Sequence, residues 1–171
     1  MIDGITIHRA ALDIESLAHL WDCLNSLPFT RIERGAMHLS RALQDDNTGS
    51  ERAAYLVNYL KARGVGDLMP FDDVSVVRYD RGSDYVDWHS DGGPLLESGC
   101  AMGILSLGAT RALEFRRIGS DVTSERVYLR AGDVVVSAPG FQFTHQHRIP
   151  PVRQDGLRFS IVLFTHAKTR K

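Results

Sequence analysis

Cysteine is scarce in this chain of 171 residues: Cys23 and Cys100 are the only two, too few for a disulfide framework and in no C-x-x-C pattern. A reduced, cytoplasmic setting is expected. Long apolar runs are also lacking, since no stretch approaches the roughly 18 residues of a membrane span. The opening MIDGITIHRA has no basic region leading into an apolar one, so neither a secretory signal nor a membrane partner is expected. Charge of one sign is missing too. Twenty Lys and Arg stand against twenty-one Asp and Glu, a formal net charge of -1, and no global field would draw the protein onto nucleic acid. Arg111, Arg116, Arg117, Arg126 and Arg130 lie close in sequence, but Glu114, Asp121 and Glu125 are interleaved with them, which reads as a solvated face. Repeats and low-complexity segments are absent. What is present is ordinary for a soluble domain: 43% hydrophobic and 24% charged residues, with a mean hydropathy of -0.16. Residues 1–171 are expected to form one domain around one core.

The first third carries the helical signals. Ile14, Leu17, Trp21 and Leu24 recur at helical spacing after Asp13, a good N-cap. Further on, Ala53, Leu56, Val57 and Leu60 make a second apolar stripe, with Ser50 to cap it and Gly64 to stop it. The polar stretch A-L-Q-D-D-N-T-G-S between them reads as a loop. From about residue 74 the pattern changes to eight short β-rich runs: V-S-V-V-R-Y, Y-V-D-W-H, C-A-M-G-I-L-S-L, A-L-E-F-R, R-V-Y-L, D-V-V-V-S, F-Q-F-T-H and L-R-F-S-I-V-L-F. Glycines punctuate them and no helical period intervenes. The expected fold is mainly β (α+β), an antiparallel double-sheet jelly roll with the N-terminal helices packed outside.

Three short patterns could carry chemistry. In Y-V-D-W-H-S-D-G-G, His89 and Asp91 are two apart, so on an extended segment they project together while Ser90 and Trp88 point away. An imidazole nitrogen and a carboxylate oxygen, joined by one more histidine, make the two-His-one-carboxylate facial triad of non-haem Fe(II) oxygenases, which leaves coordination positions open. Alone, the pair more often means a structural histidine beside an aspartate. Further on, His145 and His147 share one face of an expected strand, and either could be the third ligand by spacing. Finally Arg158 interrupts an otherwise core-like strand, with Ser160 on the same face. A guanidinium there is costly unless a carboxylate meets it. That partner is either a ligand carboxylate, which suits the planar fork, or a protein group such as Asp133; the remaining alternative is an arginine at the sheet edge.

Taken together, H-x-D, a distal histidine and R-x-S resemble the Fe(II)/2-oxoglutarate-dependent dioxygenases, whose fold is the double-stranded β-helix, a cupin-like jelly roll. The tail H-R-I-P-P-V-R-Q-D-G-L-R-F-S resembles that family's H-x-V-x-P-V…G-x-R-x-S ending with one residue inserted. The resemblance selects His147 as the third ligand and leaves His145 structural or supporting. The segment V-V-R-Y-D-R-G-S-D-Y-V-D-W-H-S-D is similar to the N-x-Y-x-x-G…W-H-x-D segment of the AlkB-like branch, with Tyr79 at the tyrosine that contacts oxoglutarate. I-L-S-L-G-A and L-R-A-G-D-V-V-V-S-A-P-G-F-Q also look like AlkB-type core strands. The likeness covers roughly residues 74–165, leaving residues 1–73 as helical support and substrate lid.

Three departures stand out. Val77 replaces the branch's asparagine, Phe164 falls at its second arginine, and Gly92-Gly93 stand where acidic residues help present a damaged base. What the resemblance implies is Fe(II) on His89, Asp91 and His147, and 2-oxoglutarate held by Arg158, Ser160 and Tyr79. O2 would be the oxidant and ascorbate a stimulant. Retention of Asp91 implies hydroxylation or demethylation rather than halogenation. Two substrate classes follow: an alkylated nucleobase in RNA or DNA, or a small metabolite, free nucleotide or amino-acid side chain. Tyr85, Arg34 and His38 are the leading substrate contacts, with Trp21, Phe29, Arg31 and Met37 also available in the lid. A non-catalytic jelly-roll binding module would leave an R-x-S behind a facial triad without a role.

Overall fold

The computed structural model describes residues 2–43, 50–91, 100–154 and 156–165. Among them are eleven strands in one antiparallel sheet. In chain order these are β1 (Ile5–His8), β2 (Thr30–Arg34), β3 (Met37–Ala42), β4 (Asp73–Tyr79), β5 (Tyr85–His89), β6 (Met102–Gly108), β7 (Arg111–Arg117), β8 (Glu125–Leu129), β9 (Val134–Ser137), β10 (His145–Ile149) and β11 (Arg158–Phe164), with helices α1 (Ile14–Asn25) and α2 (Ser50–Ala62). The sheet order is β1-β9-β6-β11-β4-β3-β5-β10-β7-β8, with β2 paired to β3. The sheet curls on itself. β1-β9-β6-β11-β4 forms one half and β5-β10-β7-β8 the other, so the fold is a double-stranded β-helix jelly roll, as the sequence led us to expect.

Two cores follow from strand alternation. Val74, Val76, Leu105, Leu107, Phe159, Ile161 and Leu163 face the helices, meeting Leu20, Leu24, Leu56, Val57 and Leu60. The opposite faces of the same strands, with Val77, Tyr79, Met102 and Ile104, meet Leu113, Phe115, Val127, Leu129 and Ile149 from the second half. The functional candidates lie between the halves.

Local signals hold at both helices. Asp13 caps α1 by accepting a hydrogen bond from the Ser16 N–H at 2.7 Å, and Gly64 ends α2 at φ +84°. The buried face of α1 is nonetheless Ser16, Leu20 and Leu24, and Ile14 is 86% exposed. The helix is therefore rotated from the expected stripe. The Ser50 side chain, the loop of residues 44–49 and Gly92-Gly93 lie outside the described residues.

The N-terminal third differs most from expectation. Alongside the helices it supplies three strands, and the β2–β3 hairpin enters the sheet, with β3 bridging β4 and β5. Of the eight expected strands, F-Q-F-T-H is not one: Phe141–Phe143 forms a 3-10 turn after Gly140 at φ +81°, and the strand starts at His145. The solvated-face reading of residues 111–130 also fails at its centre. Arg111 and Glu114 are 2% and 0% exposed: Glu114 accepts hydrogen bonds from both Arg126 and Arg148, and Arg111 donates to the Asp84 and Pro150 carbonyls.

Asp84 anchors the turn that feeds β5. It is 1% exposed, accepts a two-pronged pair from Arg31 at 2.8 Å on each oxygen, and takes the Asp80 N–H at 2.7 Å. Burial opposes its ionisation, but the Arg31 and backbone hydrogen bonds outweigh it and hold the carboxyl below its usual range. That stabilisation is present above the unfolded-state pKa of about 4 and is lost as pH falls through the lower folded-state value. We expect Asp84→Asn to cost about 3 kcal/mol at neutral pH, with the gap to the wild type narrowing below about pH 4, measured by urea unfolding across pH.

Candidate metal and oxo-acid site

β5 and β10 are neighbours, and His89 stands directly opposite His147. Their ring centroids are 4.2 Å apart. Asp91, just past β5, reaches both: Oδ1 lies 3.7 Å from His89 Nε2, and Oδ2 lies 3.5 Å from His147 Nε2. One ligand atom from each residue falls within 4.8 Å of the others, and this is the one metal-capable group of three among the described residues. Two imidazole nitrogens and a carboxylate oxygen suit Fe(II).

The surroundings prepare these donors. His89 Nδ1 is 2.7 Å from the Asp87 carbonyl, which can only accept, so the proton sits on Nδ1 and the Nε2 lone pair is free for a metal. Burial pushes the pKa of His147 down to about 4, against the pull of Asp91 and assisted by His89, so its ring is neutral. The Gln142 side chain accepts from the Asp91 N–H at 3.3 Å, and Ser90 Oγ donates to the His145 carbonyl at 2.8 Å. His145 itself is turned elsewhere. It stacks flat on Phe141 at 4.3 Å and meets Thr144 Oγ1 at 2.8 Å.

Behind the triad lies Arg158. Phe159, Ile161 and Leu163 face the helices, so alternation turns Arg158 and Ser160 inward. Arg158 is fully buried. Its Nε donates to Ser106 Oγ at 3.2 Å, while Nη1, Nη2 and the Ser160 hydroxyl have no well-aligned hydrogen bond among the described residues, the Tyr79 hydroxyl being their near neighbour. The protein-carboxylate reading is therefore excluded for Asp133, which is taken by Arg9 and by the N–H groups of Ala10 and Arg130. Burial drives the pKa of Arg158 down to about 10, partly offset by Tyr79, and it stays cationic. Tyr79 lies beside it, with the guanidinium 5.4 Å from the ring centre, and burial raises the phenol pKa so that it is a neutral donor. Tyr79 and Ser160 share one pocket with His89, Asp91 and His147. A buried guanidinium beside Tyr79 and the Ser160 hydroxyl, two residues that line this pocket, fits the far carboxylate of a short dicarboxylic oxo acid.

The expected substrate contacts divide. The register shift between His147/His89 and Ile149/Val86 gives β5 an extra residue. As a result Val86 and His89 both line the pocket. Tyr85 pairs with His38 on the opposite face, where the two rings stack at 4.9 Å. Trp88 also points out, held between Arg116 and Arg148 at 4.5 Å each. Arg34 pairs with Met37 on the interior side of the hairpin and is exposed. Trp21 and Phe29 pack on Phe159, and Arg31 is engaged by Asp84. Sequence reasoning missed Arg41, Ser106 and Arg111. Arg41 lies directly opposite Val77, lines the pocket, and has a buried Nε with no partner among the described residues.

If this geometry is the metal centre, His147→Ala should abolish Mn(II) binding measured by electron paramagnetic resonance, while His145→Ala keeps it within about threefold. The reverse outcome would exchange the two histidines.

A sequence profile of the 2OG-Fe(II) oxygenase superfamily matches residues 23–170. No curated protein matches the sequence. Among solved structures, an oxidoreductase of the 2OG-Fe(II) oxygenase family from Burkholderia pseudomallei is 18% identical, with a TM-score of 0.69 over 98% of this chain and 89% of that one. A prolyl-4-hydroxylase from Pseudomonas putida is 13% identical, with a TM-score of 0.59 over 96% of this chain and 94% of its own. OsALKBH1 is 15% identical, with a TM-score of 0.59 over 97% and 98%. These likenesses carry the fold. No described helix is long and apolar enough to cross a membrane. The profile match spans most of the chain, and so the chain belongs to the 2OG-Fe(II) oxygenase superfamily, a non-haem iron dioxygenase that uses Fe(II), 2-oxoglutarate and O2.

Proposed function

We propose that His89, Asp91 and His147 hold the iron, that Arg158, Ser160 and Tyr79 hold 2-oxoglutarate, and that the substrate is an alkylated nucleobase in RNA or DNA. The observation that carries the assignment is Arg158: fully buried beside Tyr79, with no carboxylate among the described residues on either terminal nitrogen. Bound iron and oxo acid would activate O2, one oxygen atom entering a substrate C–H bond and the other the succinate that forms as the oxo acid loses CO2. The chain's own residues do the positioning. The Asp87 carbonyl fixes the His89 tautomer, the cross-strand ladder fixes His147 against His89, and Arg158 sets the direction in which the oxo acid lies. Hydroxylation of an N-methyl carbon gives a hydroxymethyl group that collapses to formaldehyde.

The nucleobase reading draws on the AlkB-like V-V-R-Y…W-H-S-D segment and on the β2–β3 hairpin. That hairpin presents Arg34 and Arg41 on its interior side, where guanidinium groups suit phosphate oxygens. A second reading, a small anionic metabolite, free nucleotide or amino-acid side chain, is favoured by a different observation. Tyr85, His38 and Trp88 are turned out of the pocket, and the stretches 44–49 and 92–99 contain no aromatic residue, so an unstacked base has few rings to stack on.

The substrate test is formaldehyde release from N-methylated single-stranded RNA and DNA with Fe(II), ascorbate and 2-oxoglutarate. We expect turnover, with Arg41→Glu raising the oligonucleotide KM at least about tenfold. Succinate formation driven by cell metabolites, with none from any oligonucleotide, would decide for the second reading. Arg158→Ala should weaken 2-oxoglutarate binding by about 10- to 100-fold while leaving Mn(II) affinity nearly unchanged. An unaltered oxo-acid requirement would remove Arg158 from the site.

A further inference from the structure

Arg111 opens β7 and is 2% exposed. Its Nη2 donates to the Asp84 carbonyl at 2.7 Å and the Pro150 carbonyl at 2.6 Å, tying the turn before β5 to the segment after β10. Its Nε and Nη1 are buried with no hydrogen-bond partner among the described residues. No described carboxylate pairs with it. The Asp84 carboxylate is directed at Arg31 and at backbone N–H groups, and Glu114 on the same strand is engaged by Arg126 and Arg148.

Arg111 and Arg158 bear on one side chain. Their guanidinium carbons lie 5.5 Å and 5.4 Å from the centre of the Tyr79 ring. The ring's π-face repays part of the desolvation of each, but neither guanidinium is ion-paired with a described carboxylate, burial lowers the preference of both for charge, and Arg111 lowers that of Arg158 further. Around Tyr79 the polar atoms with no well-aligned hydrogen bond among the described residues are Arg111 Nε and Nη1, Arg158 Nη1 and Nη2, and Ser160 Oγ. A carboxylate offers about four acceptor sites on two oxygens, which suits that set in sign and can engage most of its five atoms. A structural arginine would be expected to meet carbonyls with all its donors rather than with one nitrogen.

We propose that Arg111 is a second anchor for the distal carboxylate of the oxo acid, so that two guanidinium groups from different halves of the jelly roll, β7 and β11, close on it around Tyr79. This rests on the assignment of Arg158 made above. It makes the pocket a reader of dicarboxylic oxo acids. The distal carboxylate also becomes a clamp between the two half-sheets.

The test is calorimetric binding of 2-oxoglutarate and of 2-oxovalerate, which has a methyl group in place of the distal carboxylate, to the full chain loaded with Zn(II). Arg111→Gln should weaken 2-oxoglutarate binding at least about tenfold and change 2-oxovalerate binding less than about twofold, and Arg158→Gln should do the same. If Arg111→Gln lowers both affinities together, or neither, while Arg158→Gln changes their ratio, Arg111 is structural and the proposal falls alone. If neither variant changes the ratio, the Arg158 assignment falls as well. Should Arg111→Gln fail to fold, the wild type decides: the assigned Nε–H resonances of both Arg111 and Arg158 should shift on adding 2-oxoglutarate and not on adding 2-oxovalerate. A shift confined to Arg158 overturns the proposal.

Discussion

The facing of His89 and His147 across β5 and β10 is the constraint on which the rest of the site depends. Two residues opposite each other in an antiparallel ladder are held at a separation set by the backbone, so neither imidazole needs a flexible reach to share a cation. Asp91 then has to lie within range of both Nε2 atoms, and the chain beyond β5 is held there by Gln142 and by the Ser90 bond to the His145 carbonyl. Those tethers come from the 3-10 turn and the first residue of β10. The segment preceding the distal histidine is thus irregular because it supports the other two ligands.

A second constraint fixes the orientation of β11. Phe159, Ile161 and Leu163 complete the core under α1 and α2, and a slip of one residue would exchange them for Arg158, Ser160 and Val162. A guanidinium under the helices would meet the apolar side chains of that core, among them Leu20, Leu24 and Leu56. The apolar faces of α1 and α2 therefore act on the chemistry at a distance: by claiming one face of β11 they commit the other to the interior. The helices contribute no residue to the pocket but determine which side chains reach it.

Much of this was legible in the sequence. Short β-rich runs, glycine punctuation and the H-x-D, distal histidine and R-x-S set were enough for the jelly roll and for which side chains could meet. What was not legible has specific causes. The T-R-I-E-R and M-H-L-S-R-A strands are rich in charged and polar residues because the hairpin is partly solvated, so neither gave a clear period of two. Tyr85 was placed on the His89 face by simple alternation, and the extra residue in β5 reverses that parity without any mark in composition. Arg111 looked solvated because charged neighbours surrounded it. In fact Glu114, the residue that seemed to balance it, is consumed by Arg126 and Arg148. Arg41 carried no signal at all, since its place opposite Val77 is a property of strand pairing.

The resulting charge distribution is uneven in a way that the near-zero net charge conceals. Acidic groups in and near the surface turns are matched by arginines, as in Arg31 with Asp84 and Arg9 with Asp133. The interior between the half-sheets instead holds Arg41, Arg111 and Arg158 around Tyr79, with all three lowering the phenol's tendency to stay protonated against the larger effect of burial. Asp91 is the one carboxylate among the residues lining the pocket, and it is directed at the two histidines. With no long-range field to gather anions, selection for them has to operate at short range, inside the fold, where low dielectric strengthens each contact. The same low dielectric makes guanidinium groups without a protein carboxylate costly to bury there. Retaining unpaired guanidinium groups there, in a domain whose net stability is a small difference between large terms, is the pattern expected where binding geometry has been kept at the expense of stability.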